Sequence, residues 1–163
     1  MNARILSIGD ELTLGHIVDT NAAWLAQQLA GTGVETLGFQ TTGDDRQRIA
    51  PMIANAASDA DLILITGGLG PTEDDLTRQA LADALGQPLV LHHDAIDHIR
   101  EFFRQRGREM SDSNTIQAMA PHGAELLENP IGTAPGIHAL LGQAHIFVMP
   151  GVPRDMKAMF DRH

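Results

Sequence analysis

One short stretch carries both glycines and acids: Thr66-Gly67-Gly68-Leu69-Gly70-Pro71-Thr72-Glu73-Asp74-Asp75-Leu76-Thr77. Glycines at 67, 68 and 70 let a backbone turn sharply and come close to a ligand, and the N–H groups of such a turn before a helix are donors for an anion. The acids just beyond would repel a phosphate held there. A phosphorylated ligand at this turn therefore calls for a divalent cation or a proton between the two, and Mg²⁺, held by one or two carboxylates and substrate phosphates, suits such a place. Asp75 is a candidate metal ligand or base. Gly67, Gly68 and Gly70 are candidate phosphate binders, with the hydroxyls of Thr66, Thr72, Thr77 and Thr133 as further donors. Plainer roles compete: acids in a first helical turn complement its dipole, and Thr72 with Asp75 has the spacing of a capping box. No Lys-Ser/Thr pair follows the glycines and no third glycine completes a dinucleotide fingerprint, so the stretch is neither a Walker A loop nor that motif.

Two more acid pairs follow candidate strand ends, Gly9-Asp10-Glu11-Leu12 and Gly43-Asp44-Asp45. Residues just past the carboxyl ends of parallel strands share one edge of a sheet, which would bring Asp10, Glu11 and Asp44 toward the glycine turn as metal ligands or bases. A solvated turn is the alternative. The eight histidines show no HExxH spacing and are expected at the surface, so a carboxylate is the expected base.

The elements that must position these groups read as an α/β chain. Arg4 to Ile8, Val34 to Thr41 and Leu62 to Ile65 are expected strands, the last an unbroken apolar run fit for a buried parallel strand. Thr20 or Asn21 caps an expected helix with Trp24, Leu25 and Leu29 inward, closed by Gly31 or Gly33. Ile49, Met52, Ile53 and Ala56 recur at helical spacing, with Pro51 delaying or kinking that helix. A helix opened by Thr72 runs to Gly86. Pro88 to Leu91 is an expected edge strand, and Asp94 caps a helix carrying Ile96, Ile99 and Phe103 to Gly107. A short helix follows Ser111 or Ser113 and stops at Pro121; Glu125 to Glu128 is extended. Asn129-Pro130-Ile131-Gly132-Thr133-Ala134-Pro135-Gly136 is a rigid loop expected to lie against something. Ile137 to Leu141 and Ala144 to Met149 form a hairpin or neighbouring strands, and a closing helix starts near Arg154.

At 163 residues the chain has the size of one domain. Eleven basic against 21 acidic residues, a formal charge of −10, disfavour a nucleic-acid surface. Without cysteine there are no disulfides and no thiolate chemistry. No apolar run reaches the roughly 20 residues of a membrane span and no signal pattern opens the chain, so no membrane partner and a cytoplasmic location are expected.

The strings Gly9-Asp10-Glu11-Leu12, Thr66-Gly67-Gly68-x-Gly70 and Asp75-x-Thr77 together resemble the molybdopterin-binding domain shared by MogA, MoaB and MoeA. Four longer strings are similar to the N-terminal domain of the CinA family: Gly70-Pro71-Thr72-x-Asp74-Asp75-Leu76-Thr77, Asn114-x-x-Gln117-Ala118, Asn129-Pro130-x-Gly132-Thr133-Ala134-Pro135-Gly136 and Pro150-Gly151-Val152-Pro153-x-x-Met156. The resemblance covers essentially the whole chain, 1–163, as a single domain. It implies a three-layer α/β/α fold with a mostly parallel sheet, a glycine turn that cradles a phosphate, and an essential acid at Asp75 sharing its site with Glu11. It also implies a pyrophosphatase acting on ADP-ribose or a related nucleotide, dependent on Mg²⁺, Mn²⁺ or Co²⁺, and a homo-oligomer. The deamidase domain that often follows in CinA is expected to be absent, so deamidation is not assigned. The same resemblance leaves two alternatives: an adenylyltransferase acting on molybdopterin, and a module that binds a pterin or nucleotide phosphate without turnover.

Overall fold

The computed structural model describes residues 1–163. Its elements in order are β1 (Asn2–Ile8), α1 (Asp10–Thr13), α2 (Thr20–Thr32), β2 (Glu35–Thr42), α3 (Arg46–Ala57), β3 (Leu62–Thr66), α4 (Thr77–Leu85), β4 (Leu89–Leu91), α5 (His93–Arg104), a 3₁₀ segment (Asp112–Ala118), β5 (Met119–Pro121), β6 (Glu125–Leu127), β7 (Gly136–Leu141), β8 (Ala144–Met149) and α6 (Pro153–Arg162).

Six strands form one sheet in the order β2-β1-β3-β8-β7-β6. The first four are parallel; β7 and β6 join antiparallel. The mostly parallel α/β sheet expected from the sequence is thus present. Alternation along each central strand sends side chains to two cores. Leu6, Ile8, Ile63 and Ile65 pack with Ile49, Ile53 and Leu81 of α3 and α4 on one face. Ala3, Ile5 and Leu64 pack with Leu25, Leu29, Met156 and Met159 of α2 and α6 on the other. Both faces of β1 and β3 are therefore buried, which is why Leu62 to Ile65 reads as a continuous apolar run and β1 carries apolar side chains in succession at Ile5 and Leu6. No helix is long and apolar enough to cross a membrane.

Some local expectations are corrected and others are met. Asp19, not Thr20 or Asn21, caps α2, its carboxylate accepting the Ala22 N–H at 3.0 Å. Gly33 ends that helix in the left-handed region at φ 78°. The helix around Pro51 starts at Arg46, ahead of the expected Ile49, because Asp45 caps it by accepting the Gln47 N–H at 2.8 Å. β4 is not an edge of the main sheet; it pairs antiparallel with β5 in a separate two-stranded sheet. No side chain caps α5, which begins at His93. The two strands flanking Gly142-Gln143 form the antiparallel hairpin. The loop after Asn129 does lie against the body: the buried Asn129 amide donates to Ala134 O and to Asp155 at the start of α6, while its oxygen accepts the Ile131 and Gly132 N–H groups.

Because the cap on α2 belongs to Asp19, Asp19→Ala is expected to cost about 1 kcal/mol. Thr20→Ala at the exposed next position should stay within about 0.5 kcal/mol. Urea midpoints of the two variants decide it, and equal losses would show that the helix entry is held some other way.

Candidate functional site

β1, β3 and β8 lie side by side and parallel, so their carboxyl ends fall on one edge. Each strand leaves that edge through a glycine: Gly9, Gly67 and, after Pro150, Gly151. The Gly67 N–H donates to Met149 O at 3.1 Å and the Gly9 N–H to Thr42 O at 3.0 Å, extending the sheet one residue past the strands. At φ 102° Gly67 holds a conformation L side chains avoid, and a Cβ there would collide with the Ile8 carbonyl oxygen. Here the turn needs glycine for close packing against β1 as well as for its direction.

Beyond this edge opens a cleft of about 430 Å³, lined by Glu11, Asp44, Asp75, the turn from Gly67 to Gly70, and the β8 exit. Glu11, Asp44 and Asp75 come from three separate segments. Sheet topology brings them to one place.

Asp75 is already engaged. One carboxylate oxygen accepts the Gly70 N–H at 2.8 Å; the other accepts the Thr72 N–H at 2.9 Å and the Thr72 hydroxyl at 2.5 Å. These bonds fix the turn before α4 rather than cap it, since α4 begins at Thr77 with no side-chain cap. The capping-box expectation is corrected accordingly: Thr72 and Asp75 pair, but two residues ahead of the helix. With the Gly70 and Thr72 amides spent on Asp75, the N–H groups of Gly68 and Leu69 are the ones in the turn that donate to nothing in the protein.

Glu11 is exposed and lies in α1, a single helical turn directly after the β1 exit. Its carboxylate folds back over Gly9, where a Cβ would stand 2.7 Å from it. No protein donor engages it. Asp10 and Asp44 form a reciprocal pair, each carboxylate accepting the other's N–H at 3.1 and 3.0 Å. This ties α1 to the end of β2 and turns the exposed Asp10 out of the cleft lining, so Asp10 acts as a structural clamp. Burial holds the Asp44 carboxyl above its ordinary range; the Asp10 N–H opposes this, and the like charges of Asp10, Glu11 and Asp75 add to it. No three acidic or histidine side chains are grouped closely enough to hold a metal ion by themselves. The donor set suits a hydrated cation shared with ligand phosphates, not a closed protein cage.

Three of the threonines do not face the cleft. Thr77 is fully buried and its hydroxyl donates to Gly67 O at 2.9 Å, so it braces the turn from behind. Thr66 is buried at the end of β3 and lines an adjoining notch with Glu11 and Asn21. Thr133 lies in the loop beside α6 and lines a different cavity, of about 550 Å³, with His92 and His98. The separation is physical: the Asn129 bonds fold that loop onto α6. His92 is half-buried there, against the surface expectation, while His93 and His98 are exposed.

Two residues at this edge have no counterpart among the sequence candidates. The buried Asn21 amide donates to Gly151 O at 2.8 Å, joining α2 to the β8 exit. Arg78 is fully buried behind the turn and donates to Leu69 O at 2.8 Å. Only the glycine exit at Gly151 hinted at the first, and nothing marked the second, since arginine is read as a surface residue.

A family model describing a probable molybdopterin binding domain matches residues 4–163. A CinA-like protein of Geobacter metallireducens is 47% identical over 161 residues, covering 99% of this chain and 39% of that protein. A CinA-like protein of Thermomicrobium roseum is also 47% identical, over 160 residues, with 98% and 39% covered. The chain thus spans about two fifths of the length of these relatives. Among solved structures, CinA of Thermoplasma acidophilum, a protein described as of unknown function, superposes with a TM-score of 0.92 at 32% identity, covering 99% of this chain and 94% of that one. MoaB of Thermus thermophilus superposes at 0.66 with 21% identity, covering 98% and 87%, a likeness of fold.

The raised Asp44 gives a signed expectation. A carboxyl whose folded pKa lies above its unfolded one stabilises the fold below the unfolded value and loses that contribution as pH rises through the carboxylate range. Asp44→Asn keeps an oxygen for the Asp10 N–H and removes the charge. It should melt higher than wild type at neutral pH, by well under about 1 kcal/mol because the group is largely solvent-screened. The gap should close below about pH 4. Melting curves at the two pH values test this, and a variant less stable at neutral pH would contradict the crowding of charge.

Proposed function

The chain belongs to the probable molybdopterin-binding domain family and, within it, to the CinA proteins; on that premise we propose that its cleft binds a nucleotide diphosphate and hydrolyses the pyrophosphate link, with ADP-ribose or a close relative as substrate. The observation that carries this reading is the meeting of Glu11, Asp44 and Asp75 with the Gly67–Gly70 turn on one cleft. A diphosphate needs donors that hold its oxygens and a counter-charge between it and the acids. The free Gly68 and Leu69 N–H groups suit the first requirement. Asp44 and the remaining lone pair of Asp75 suit the second, as the chain's ligands for Mg²⁺, Mn²⁺ or Co²⁺, with Glu11 beside them on the same cleft. Such an ion supplies neutralisation of the charge that develops on the phosphoryl oxygens.

The two leading carboxylates have different environments and are assigned different work. Asp75, held by three donors, shapes the turn and keeps its charge in place. Glu11, free of donors, is the base: it takes a proton from the attacking water as the water oxygen bonds to the adenosine-side phosphorus. The bridging P–O bond breaks, its electron pair leaves with ribose 5-phosphate, and AMP is the other product. The acidic mouth selects against a free anion without a cation.

The family description and the MoaB-like fold favour a second reading, adenylylation of molybdopterin, which would use the same turn and acids with a pterin phosphate as acceptor. Incubation with ADP-ribose and each of the three cations, with chromatography for AMP, separates the two; molybdopterin with ATP is the converse assay. Glu11→Gln is expected to lower AMP release by about 100-fold or more, and Asp75→Asn to abolish it. Wild-type rates in either folded variant would remove the assignment.

A further inference from the structure

Arg78 is an unusual residue to find in this protein's interior. It sits at the second position of α4, wholly without solvent exposure, directly behind the turn that walls the cleft. Of its three guanidinium nitrogens only Nη2 has a partner, the Leu69 carbonyl at 2.8 Å; Nε and Nη1 are buried with none. Burial pulls its pKa down to about 10, with Asp75 opposing the shift, so it is charged at neutral pH. An incompletely partnered buried cation is costly to a fold. Apolar packing alone would be served better by leucine or methionine.

The peptide it holds explains its placement. No peptide bond in the chain is cis, so the Leu69 carbonyl and the Gly70 N–H point in opposite directions across one planar unit. Arg78 donates to the oxygen end, and Asp75 accepts from the nitrogen end at 2.8 Å. Cation, peptide dipole and carboxylate therefore stand in line, each polarising the next. The positive end of this line lies under Leu69, whose N–H is free, on the far side of the wall from the cleft.

Resting on the reading that the cleft holds a phosphorylated ligand, we propose that Arg78 is the fixed cation of the site, a positioning residue that holds the Leu69–Gly70 peptide and offsets the acids of the cleft without touching the ligand. Its charge, rather than its hydrogen bond, is what the ligand feels through the low-polarity wall. A charge so placed needs no rearrangement when a diphosphate arrives.

Charge and hydrogen bond can be separated by two variants. Arg78→Gln keeps an N–H donor for Leu69 O and removes the charge; Arg78→Lys keeps the charge and a donor. Titration calorimetry with inorganic pyrophosphate and Mg²⁺ is expected to show Arg78→Lys within about threefold of wild type and Arg78→Gln weaker by about tenfold or more, with thermal melts confirming that both are folded. A folded Arg78→Gln that binds as wild type overturns the role of Arg78 and leaves the phosphate reading standing. Should Arg78→Gln fail to fold, Arg78→Lys still decides: a folded lysine variant weakened tenfold shows that charge is not what matters. Wild-type protein that binds no pyrophosphate removes the phosphate reading and this inference together.

Discussion

The constraint on which the rest of the molecule depends is the close approach of neighbouring strand exits. β1 and β3 are hydrogen-bonded along their length, and the turn after β3 must pass against the last carbonyl of β1. Only a residue without a Cβ does so. The Gly67 N–H then bonds to the end of β8, and the Thr77 hydroxyl to Gly67 O, so three strands and a helix are fastened at one point. Close packing is discrete rather than elastic: a methyl group at this junction cannot be absorbed by small shifts, because what it meets is backbone. The cleft follows from that junction, since everything that lines it hangs from the exits of these strands.

Placing four acidic residues, Glu11, Asp44, Asp74 and Asp75, around such a junction is unfavourable for the isolated protein. The structure distributes the cost in two ways. Asp10 and Asp44 satisfy one another's amides, and Asp75 is held by three donors, so these three acids are hydrogen-bonded even where they repel. Behind the wall a buried guanidinium supplies the opposite charge, itself only partly satisfied. Neither arrangement is what stability alone would select, and functional sites are where such departures concentrate.

Much of this was legible in the residues. The apolar run of β3 and the glycines that follow β1 and β3 identify a parallel sheet and its cleft edge, because burial on both faces leaves an uninterrupted hydrophobic string in β3. The acids of the cleft were legible as strand-end residues, since topology alone collects them. What escaped depends on which way a side chain turns. Thr77 looks like a hydroxyl offered to a ligand, yet it begins a helix whose first turn packs against the glycines, and it faces inward. Thr72 and Asp75 have the spacing of a cap, but the turn closes two residues before the helix. Asp19 was missed because three polar residues in a row, Asp19-Thr20-Asn21, all suit a helix entry and only the backbone decides among them. Thr133 offers a hydroxyl donor by residue type, but Asn129 anchors its loop against α6, as a loop expected to lie against something, and away from the cleft. Arg78 carries no signal in sequence at all.

The difference between Glu11 and Asp75 shows why equal residue types at one cleft need not share a role. A carboxylate that accepts two backbone N–H bonds and a hydroxyl is fixed in direction; moving it would break the turn that makes the cleft. One lying over a glycine and accepting no protein hydrogen bond has no part of the turn depending on it. The first belongs to the bonding of the turn; the second does not. Because the glycine under Glu11 ends β1 and the glycine bonded to Asp75 follows β3, the same sheet that brings the two acids together also keeps them on separate supports. A change in one need not propagate to the other, so the acid bonded into the turn and the acid without a donor can be altered separately.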